Sequence, residues 1–536
     1  MNVADQQRLQ RAWQALQEGQ ASRAAADARV VAEAGPGSFD AWRILGIAEH
    51  ACGRPDAGNH AFLRALELRP GDAATALDLG TALLRGGASG QALPWLRRAV
   101  EGLPSDARAA FRLGSAAYAQ ADLDAAIDSF AAATRLQPDW VEAWSNLAAA
   151  YGARQSYPDA IHAARRAAQL RPGDARVHLA LAQLHSNLFD TGELRVGLQS
   201  AMQALQFEPS LAEGHTVAGV LYRKLGEPQR AEAHATRAVE LQPTSAQTVE
   251  LLGEQQLLNG KPREAIETFS RAAGRGVVSE VLRRQHGIAH LHAGDAEGAL
   301  ALFEPLLQEC PGDQRLVAHA GVALALARGA EVAIERLGLI RHVSRIPLDT
   351  PEGFPDSATF HAALADDIRR HSQQRWEPVG LAARSAYLSG DLLADRTAAI
   401  AGFERILRHA LDAYIAGLQR DATDPFLRSV PDRYRLHVWA TRASAQGYID
   451  THIHEDSWLS GAYYVELPPA TSAGDRQGWI EFGRPYGRLS VPDAMIHAQL
   501  PVVGHLLVFP SYVFHRTLPY EGHGERISIS FDLAAA

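Results

Sequence analysis

Through roughly the first 340 residues, apolar and small side chains recur at spacings of three and four, and in the last hundred they gather into short runs broken by turn residues. In the block 141–174, Trp144, Leu147, Ala148 and Tyr151 share one stripe, Ala160, Ala164 and Ala167 share a second, and Pro172 closes it. Residues three and four apart lie on one face of a helix, so the block predicts two amphipathic helices and a stop. The same slots hold Trp42, Leu45, Gly46, Gly58, Phe62, Ala65 and Pro70 in block 39–72. In block 107–140 they hold Leu113, Gly114, Ala126, Phe130, Ala133 and Pro138. The closing prolines, Pro36, Pro70, Pro104, Pro138, Pro172, Pro209 and Pro243, stand 34 residues apart with a single step of 37. That step places a three-residue insertion around Phe189–Leu194.

A 34-residue period is the length of a two-helix repeat. Extending it predicts nine units starting near residues 5, 39, 73, 107, 141, 175, 212, 246 and 280, with Val277 in place of one proline and Pro311 closing the ninth. Segment 314–338, with Gly321 and Ala333 in register, reads as a further helical pair or cap. These slots resemble the tetratricopeptide repeat, in which Gly and Ala let antiparallel helices approach while Trp, Leu, Tyr and Phe fill the seam. The resemblance implies a superhelical solenoid over residues 1–338, each unit burying its apolar face against its neighbours.

Beyond it the texture changes. Residues 356–372 and 395–420 still carry helical spacing, within a lead-in that spans 339–433 and is expected to be helical. From Tyr434 to about 533, runs such as RLHVWATRA, GAYYVEL, GWIEFGRP, GHLLVFP and RISISFDL predict strands of a sandwich or barrel. The expected whole is multidomain: an all-α repeat superhelix, then an α+β domain over 339–536 with a β core.

Polar chemistry concentrates in that core. In Thr451-His-Ile-His-Glu-Asp-Ser457, His452, His454 and Asp456 stand at i, i+2 and i+4, and would share a face if the segment is extended. His515 follows the apolar run LLVFPSYVF, and Arg526 lies eleven residues further on. Two histidines and a carboxylate leaving positions open describe the facial triad of non-haem Fe(II) oxygenases. A guanidinium nearby suits a dicarboxylate, which it grips with two parallel hydrogen bonds.

The runs HIHEDSWLSGAYYVELPP, GWIEF and GHLLVFPSYVFHRTLPYEGHGERISISFDL resemble the 2-oxoglutarate/Fe(II)-dependent oxygenases of the double-stranded β-helix (jelly-roll) class, related in layout to prolyl hydroxylases. The resemblance covers about 436–533. It implies His515 as the distal iron ligand, Arg526 on the far carboxylate of 2-oxoglutarate with Ser528 assisting, and a hydroxyl from Tyr464 or Tyr463. Those two tyrosines alternate faces, so only one can point at the site. Two ligand sets stand open. His454, Asp456 and His515 satisfy the general His-x-Asp pattern; His452, His454 and His515 satisfy a family pattern of His-x-His then Pro, where this chain has Glu455.

The implied cofactors are Fe(II), 2-oxoglutarate as cosubstrate, O2 and, optionally, ascorbate. The implied activity is hydroxylation of a side chain of a peptide or protein held in the repeat groove. Alternatives are an oxygenase acting on a small molecule or glycan, and a repeat scaffold whose β domain only binds metal or is inactive. A net charge of −9 argues against broad nucleic-acid affinity, which needs a basic excess. Only Cys52 and Cys310 are present, in separate repeats, so a disulfide framework is not expected. The start MNVADQQRLQRAW lacks an apolar leader and no run reaches a membrane span, which gives no membrane partner and a cytoplasmic setting as expectations. Trp42, Trp144, Phe62 and Phe130 are core by position, and His50, His60, His162, His178 and His185 have no metal-like companions.

Overall fold

The computed structural model describes residues 3–378, 381–472, 474–487 and 489–536. The proline ruler marks a stop followed by a start. Two residues after Pro36, Pro70, Pro104, Pro172, Pro243 and Pro311 stand Ser38, Asp72, Asp106, Asp174, Ser245 and Asp313, each accepting a backbone N–H of the helix it precedes. Such caps stabilise a helix start by about 1 kcal/mol each. The fourth helical position then reaches back: Trp42 Nε1 donates to Pro36 O and Trp144 Nε1 to Pro138 O, both at 2.9 Å. His178 Nε2 bonds Pro172 O at 2.8 Å in the same slot.

First helices of successive pairs begin at Val3, Phe39, Ala73, Ala107, Val141, Ala175, Ala212, Ala246 and Glu280, within two residues of every expected start. A last pair, Gln314–Arg328 and Ala330–Leu337, occupies the expected cap. The seam is set by small-to-large pairs sixteen residues apart: a Cβ on Gly114 would overlap the ring of Phe130. The insertion lengthens the second helix of its unit, Thr191–Phe207, to 17 residues against 14 in Tyr157–Leu170. No helix among the described residues is long and apolar enough to cross a membrane.

Two compact units result, one of Met1–Leu188 with Arg195–Ser210, the other of Phe189–Leu194 with Leu211–Ala536. The expected division at 338 falls inside the second. One hydrophobic core runs from Ile288, Phe303 and Leu324 of the last repeats through Phe360 and Phe403 to Phe482, Phe509 and Phe531. Tyr512 Oη donates to Leu337 O (2.9 Å), and Arg428 Nη2 to Pro311 O (2.9 Å) across the same boundary.

Among the described residues ten strands follow: β1 Ser344–Pro347, β2 Gln374–Trp376, β3 Ala383–Ser389, β4 Tyr434–Ile449, β5 Leu459–Glu466, β6 Ile480–Phe482, β7 His497–Gln499, β8 His505–Pro510, β9 His515–Thr517 and β10 Arg526–Ala535. They form a seven-stranded sheet in the order β1-β8-β5-β10-β4-β3-β2 and a three-stranded sheet in the order β7-β6-β9, antiparallel throughout. This is the sandwich expected. Helices Ser357–Arg370 and Ala398–Ala416 lie where helical spacing puts them, and Phe403 packs on Tyr463 of β5 with ring centroids 5.1 Å apart. Between and before them, however, the lead-in also supplies β1, β2 and β3 at the two edges of the large sheet. Edge strands of three to seven residues with mixed burial carry little periodic signal.

Candidate metal centre

β4 leads out at Ile449, and the chain then pairs briefly with β9: His452 and His515 exchange both backbone N–H···O bonds at 3.1 Å. That close pairing brings their ring centroids to 4.2 Å, the planes tilted by 51°. His454 N–H bonds Ser511 O at 3.1 Å, which brings its ring within 4.9 Å of His452 and 5.1 Å of His515. One nitrogen from each histidine falls within 4.8 Å of the others. Among the described residues this is the only such group of three.

The chain turns at Glu455 and Asp456, so the extended run expected from His452 to Asp456 ends at His454. Asp456 is exposed and stands outside the group, and Glu455 pairs with Arg315 at 3.5 Å. The structure therefore brings together the three-histidine set and leaves Asp456 apart from it.

Each imidazole is oriented from behind. Nδ1 of His452 bonds Asp450 O (2.8 Å), Nδ1 of His515 bonds Val513 O (3.0 Å), and Nδ1 of His454 bonds the carboxylate Oδ2 of Asp532 (2.6 Å). A carbonyl or carboxylate can only accept, so Nδ1 carries the proton and the Nε2 lone pair is free to ligate. Burial, followed by the neighbouring histidines, pushes His452 down to about 4 and His515 well below the usual imidazole range. Both are neutral at neutral pH, the form a metal requires. Asp532 is itself fixed by Ser460 Oγ, which donates to Oδ1 at 2.6 Å and meets Ser511 Oγ at 2.8 Å.

The three rings open onto a cavity of about 360 Å³ lined also by Trp439, Thr441, Tyr464, Ser528 and Ser530. Tyr464 and Ser528 are cross-strand partners on β5 and β10. Beside Tyr464 lies Arg526, only 1% exposed, whose Nη1 reaches Leu518 O at 3.5 Å while Nε and Nη2 have no hydrogen-bond partner among the described residues. The Tyr464 hydroxyl is likewise buried without a hydrogen-bond partner among the described residues. Tyr463 points to the opposite face, where its hydroxyl bonds His361 Nε2 at 2.7 Å. So of the expected residues, His452, His454, His515, Tyr464 and Ser528 line one cavity with Arg526 beside it, and Tyr463 and Asp456 lie elsewhere.

The comparisons with known proteins decide the class. The family described as Putative 2OG-Fe(II) oxygenase matches residues 437–532, and the tetratricopeptide repeat matches 52–107, 77–140, 111–175 and 216–280. The chain joins tetratricopeptide repeats to a 2OG-Fe(II) oxygenase domain. Among solved structures the repeats are similar to YrrB, described as a TPR protein with an unusual peptide-binding site, at 21% identity over 36% of this chain and 97% of that one (TM-score 0.32). They are similar to the C-terminal part of a TPR repeat-containing protein from Cytophaga hutchinsonii, at 14% identity over 46% and 99% (TM-score 0.39). A third similar structure is pilF of Pseudomonas aeruginosa, at 19% identity over 40% and 97% (TM-score 0.34). No curated protein matches the chain.

The oxygenase domain fits its implied groups on its own atoms. Three imidazoles with Nδ1 occupied and Nε2 free form a donor set for Fe(II). A guanidinium and a phenol, both buried and without a hydrogen-bond partner among the described residues at Nε, Nη2 and Oη, are costly unless an anion meets them, and a carboxylate such as that of 2-oxoglutarate would do so. Asp532 escaped the sequence reading. Its signal was present in β10, where RISISFDL puts an acid at the end of an apolar strand, but pairing it with His454 takes a contact across 78 positions.

Proposed function

We propose that the domain is an active 2-oxoglutarate-dependent dioxygenase that hydroxylates a side chain of a peptide or protein recruited by the repeats. The observation that carries this is the pairing, at one cavity, of three Nε2-free histidines with a buried guanidinium that lacks an acceptor. In this reading His452, His454 and His515 hold Fe(II), which with 2-oxoglutarate and O2 supplies the oxidising power and yields succinate and CO2. Arg526, with the Tyr464 hydroxyl, grips the distal carboxylate, and Ser528 lies beside it on the cavity wall. Asp532 keeps His454 in the ligating tautomer. Trp439, stacked on His454 at 5.6 Å, and the apolar wall around Ile480 and Phe509 limit water at the reacting carbon. The two free cysteines and the demand for ferrous iron suit a reducing, cytoplasmic setting.

The test is iron-dependent conversion of 2-oxoglutarate to succinate by the purified chain. His452→Ala and His515→Ala are expected to lose iron and turnover, and Asp456→Ala to keep both. No succinate under any iron loading would end the enzymatic reading. Loss of iron in Asp456→Ala alone would return the carboxylate to the ligand set.

A further inference from the structure

The insertion that breaks the proline ruler has a structural destination. Phe189, its first residue, belongs to the compact unit that contains the oxygenase domain. Its ring receives Lys224 at 5.1 Å and Arg375 at 5.9 Å from the centroid. Arg375 lies on β2, the edge strand of the large sheet, is exposed, and lines the mouth of the metal cavity. No carboxylate among the described residues pairs with it. A cation seated over an aromatic face is held in place without being neutralised.

The second charged group in the lining other than the histidines is Arg516, on β9 directly after the ligand His515. Its Nε donates to Glu481 at 2.7 Å, but Glu481 also receives Arg484 Nε at 2.7 Å, so one carboxylate is divided between two guanidinium groups. Among the described residues that line the cavity there is no Asp or Glu. Acids adjoining the lining have partners of their own: Asp532 serves His454 and Ser460, Asp450 takes the Thr451 N–H at 2.8 Å, and Glu377 takes the Ser385 N–H at 3.2 Å. Iron and 2-oxoglutarate carry opposite double charges and cancel, which leaves the wall met by a substrate cationic.

We infer that the oxygenase domain selects a carboxylate-bearing peptide segment, an Asp or Glu at or next to the modified residue, through Arg375 held on Phe189 together with Arg516 at the cavity mouth. This rests on the proposed dioxygenase activity. At the mouth of a cavity whose walls include Leu388, Ile449, Ile480 and Phe509, a charged side chain gains more from such partners than it would on open surface. An uncharged or basic segment would leave the two cations unpaired, so discrimination against it comes from the same atoms.

The test uses the full chain loaded with Mn(II) and 2-oxoglutarate without oxygen, and two labelled peptides, alternating Glu-Ala and its Gln-Ala counterpart, followed by fluorescence anisotropy. The Glu peptide is expected to bind at least about tenfold tighter at low salt, and the advantage to shrink as salt screens it. Arg375→Glu should abolish the preference, and Phe189→Ala should weaken it. Both should leave succinate release in the absence of peptide unchanged, because neither residue is assigned to metal or cosubstrate. Equal binding of the two peptides, or a preference that survives Arg375→Glu, overturns the inference even if succinate is formed. Absence of succinate with the acidic preference intact would instead remove the dioxygenase reading and leave an acidic-peptide site.

Discussion

Replacing Arg526 by Met should make the cosubstrate-free protein more stable and the cosubstrate weaker, two effects of opposite sign from one side chain. In the wild type the guanidinium is 1% exposed, and Nε and Nη2 find no acceptor among the described residues. Each buried polar group left unpaired costs roughly 1–3 kcal/mol, and a charged one more. Met keeps most of the apolar stem and removes the charge, so a net gain of about 1–3 kcal/mol is expected after allowing for imperfect filling. When 2-oxoglutarate is present the account reverses. Two charge-assisted hydrogen bonds at roughly 1.5–3 kcal/mol each are lost, which weakens binding by on the order of 10²–10⁴-fold. Urea unfolding monitored without and with 2-oxoglutarate, and calorimetric titration of 2-oxoglutarate into Mn(II)-loaded protein, read both quantities. A variant that is less stable by 1 kcal/mol or more without 2-oxoglutarate, or that binds it as the wild type does, would refute the view that Arg526 is an anion receptor kept at a cost in stability.

Asp532→Asn should lower metal affinity by roughly 10–100-fold, because an amide can donate to Nδ1 of His454 and move the ring proton to Nε2; Co(II) absorption titration measures it, and unchanged affinity would contradict the tautomer assignment. His319 is fully buried, with Nδ1 on Arg315 O at 2.7 Å and Nε2 near Tyr486 Oη at 3.1 Å, and burial followed by Arg315 pushes it down to about 3. Between roughly pH 6.5 and that value the unfolded chain binds a proton that the folded chain refuses, so stability should fall on acidification with a slope of up to about 1.4 kcal/mol per pH unit. His319→Gln should flatten the slope, and an unchanged slope in urea unfolding across that range would remove His319 as its source. A fragment of residues 211–536 should unfold cooperatively, whereas 339–536 alone should not, since it strands Tyr512, Arg428, Tyr486 and Phe514 without Leu337, Pro311 and His319; a single sharp transition in the shorter fragment would show the β domain to be self-sufficient.

The repeats were legible because their information is local and recurs. Pro-x-Asp or Pro-x-Ser states stop and start within three residues, and Gly114 against Phe130 states the seam within sixteen. The inner strands were legible for a similar reason: β4, β5, β8 and β10 are long, buried and bounded by turns. What failed was whatever depended on a partner far away in sequence. β1 is four residues long and exists as a strand because β8, some 160 positions later, offers an edge. The division at 338 does not coincide with the boundary between compact units, because a change of period marks a change of secondary structure, while a compact unit is defined by which side chains share a core. At the site, alternation on β5 correctly separated Tyr463 from Tyr464. Alternation through His452–Asp456 failed, because it presumed a strand where the backbone leaves β9 after two residues and turns.

The two ligand sets suggested by the sequence differ less in charge than their formulas imply. An Asp in the ligand set would place a full negative charge on the metal; three neutral imidazoles place none. Yet Asp532 lies 2.6 Å from Nδ1 of His454, and a carboxylate accepting that proton makes the imidazole a more basic ligand. The carboxylate is therefore present, one ring further from where a metal would sit. Moving it there has a consequence for the cavity wall. A ligating carboxylate exposes its second oxygen to the substrate space, whereas Asp532 spends Oδ1 on Ser460 and Oδ2 on His454 behind the rings. In the proposed site the metal would then be tuned by an acid that the substrate does not meet, and the surface it would meet keeps the cationic character of Arg375 and Arg516.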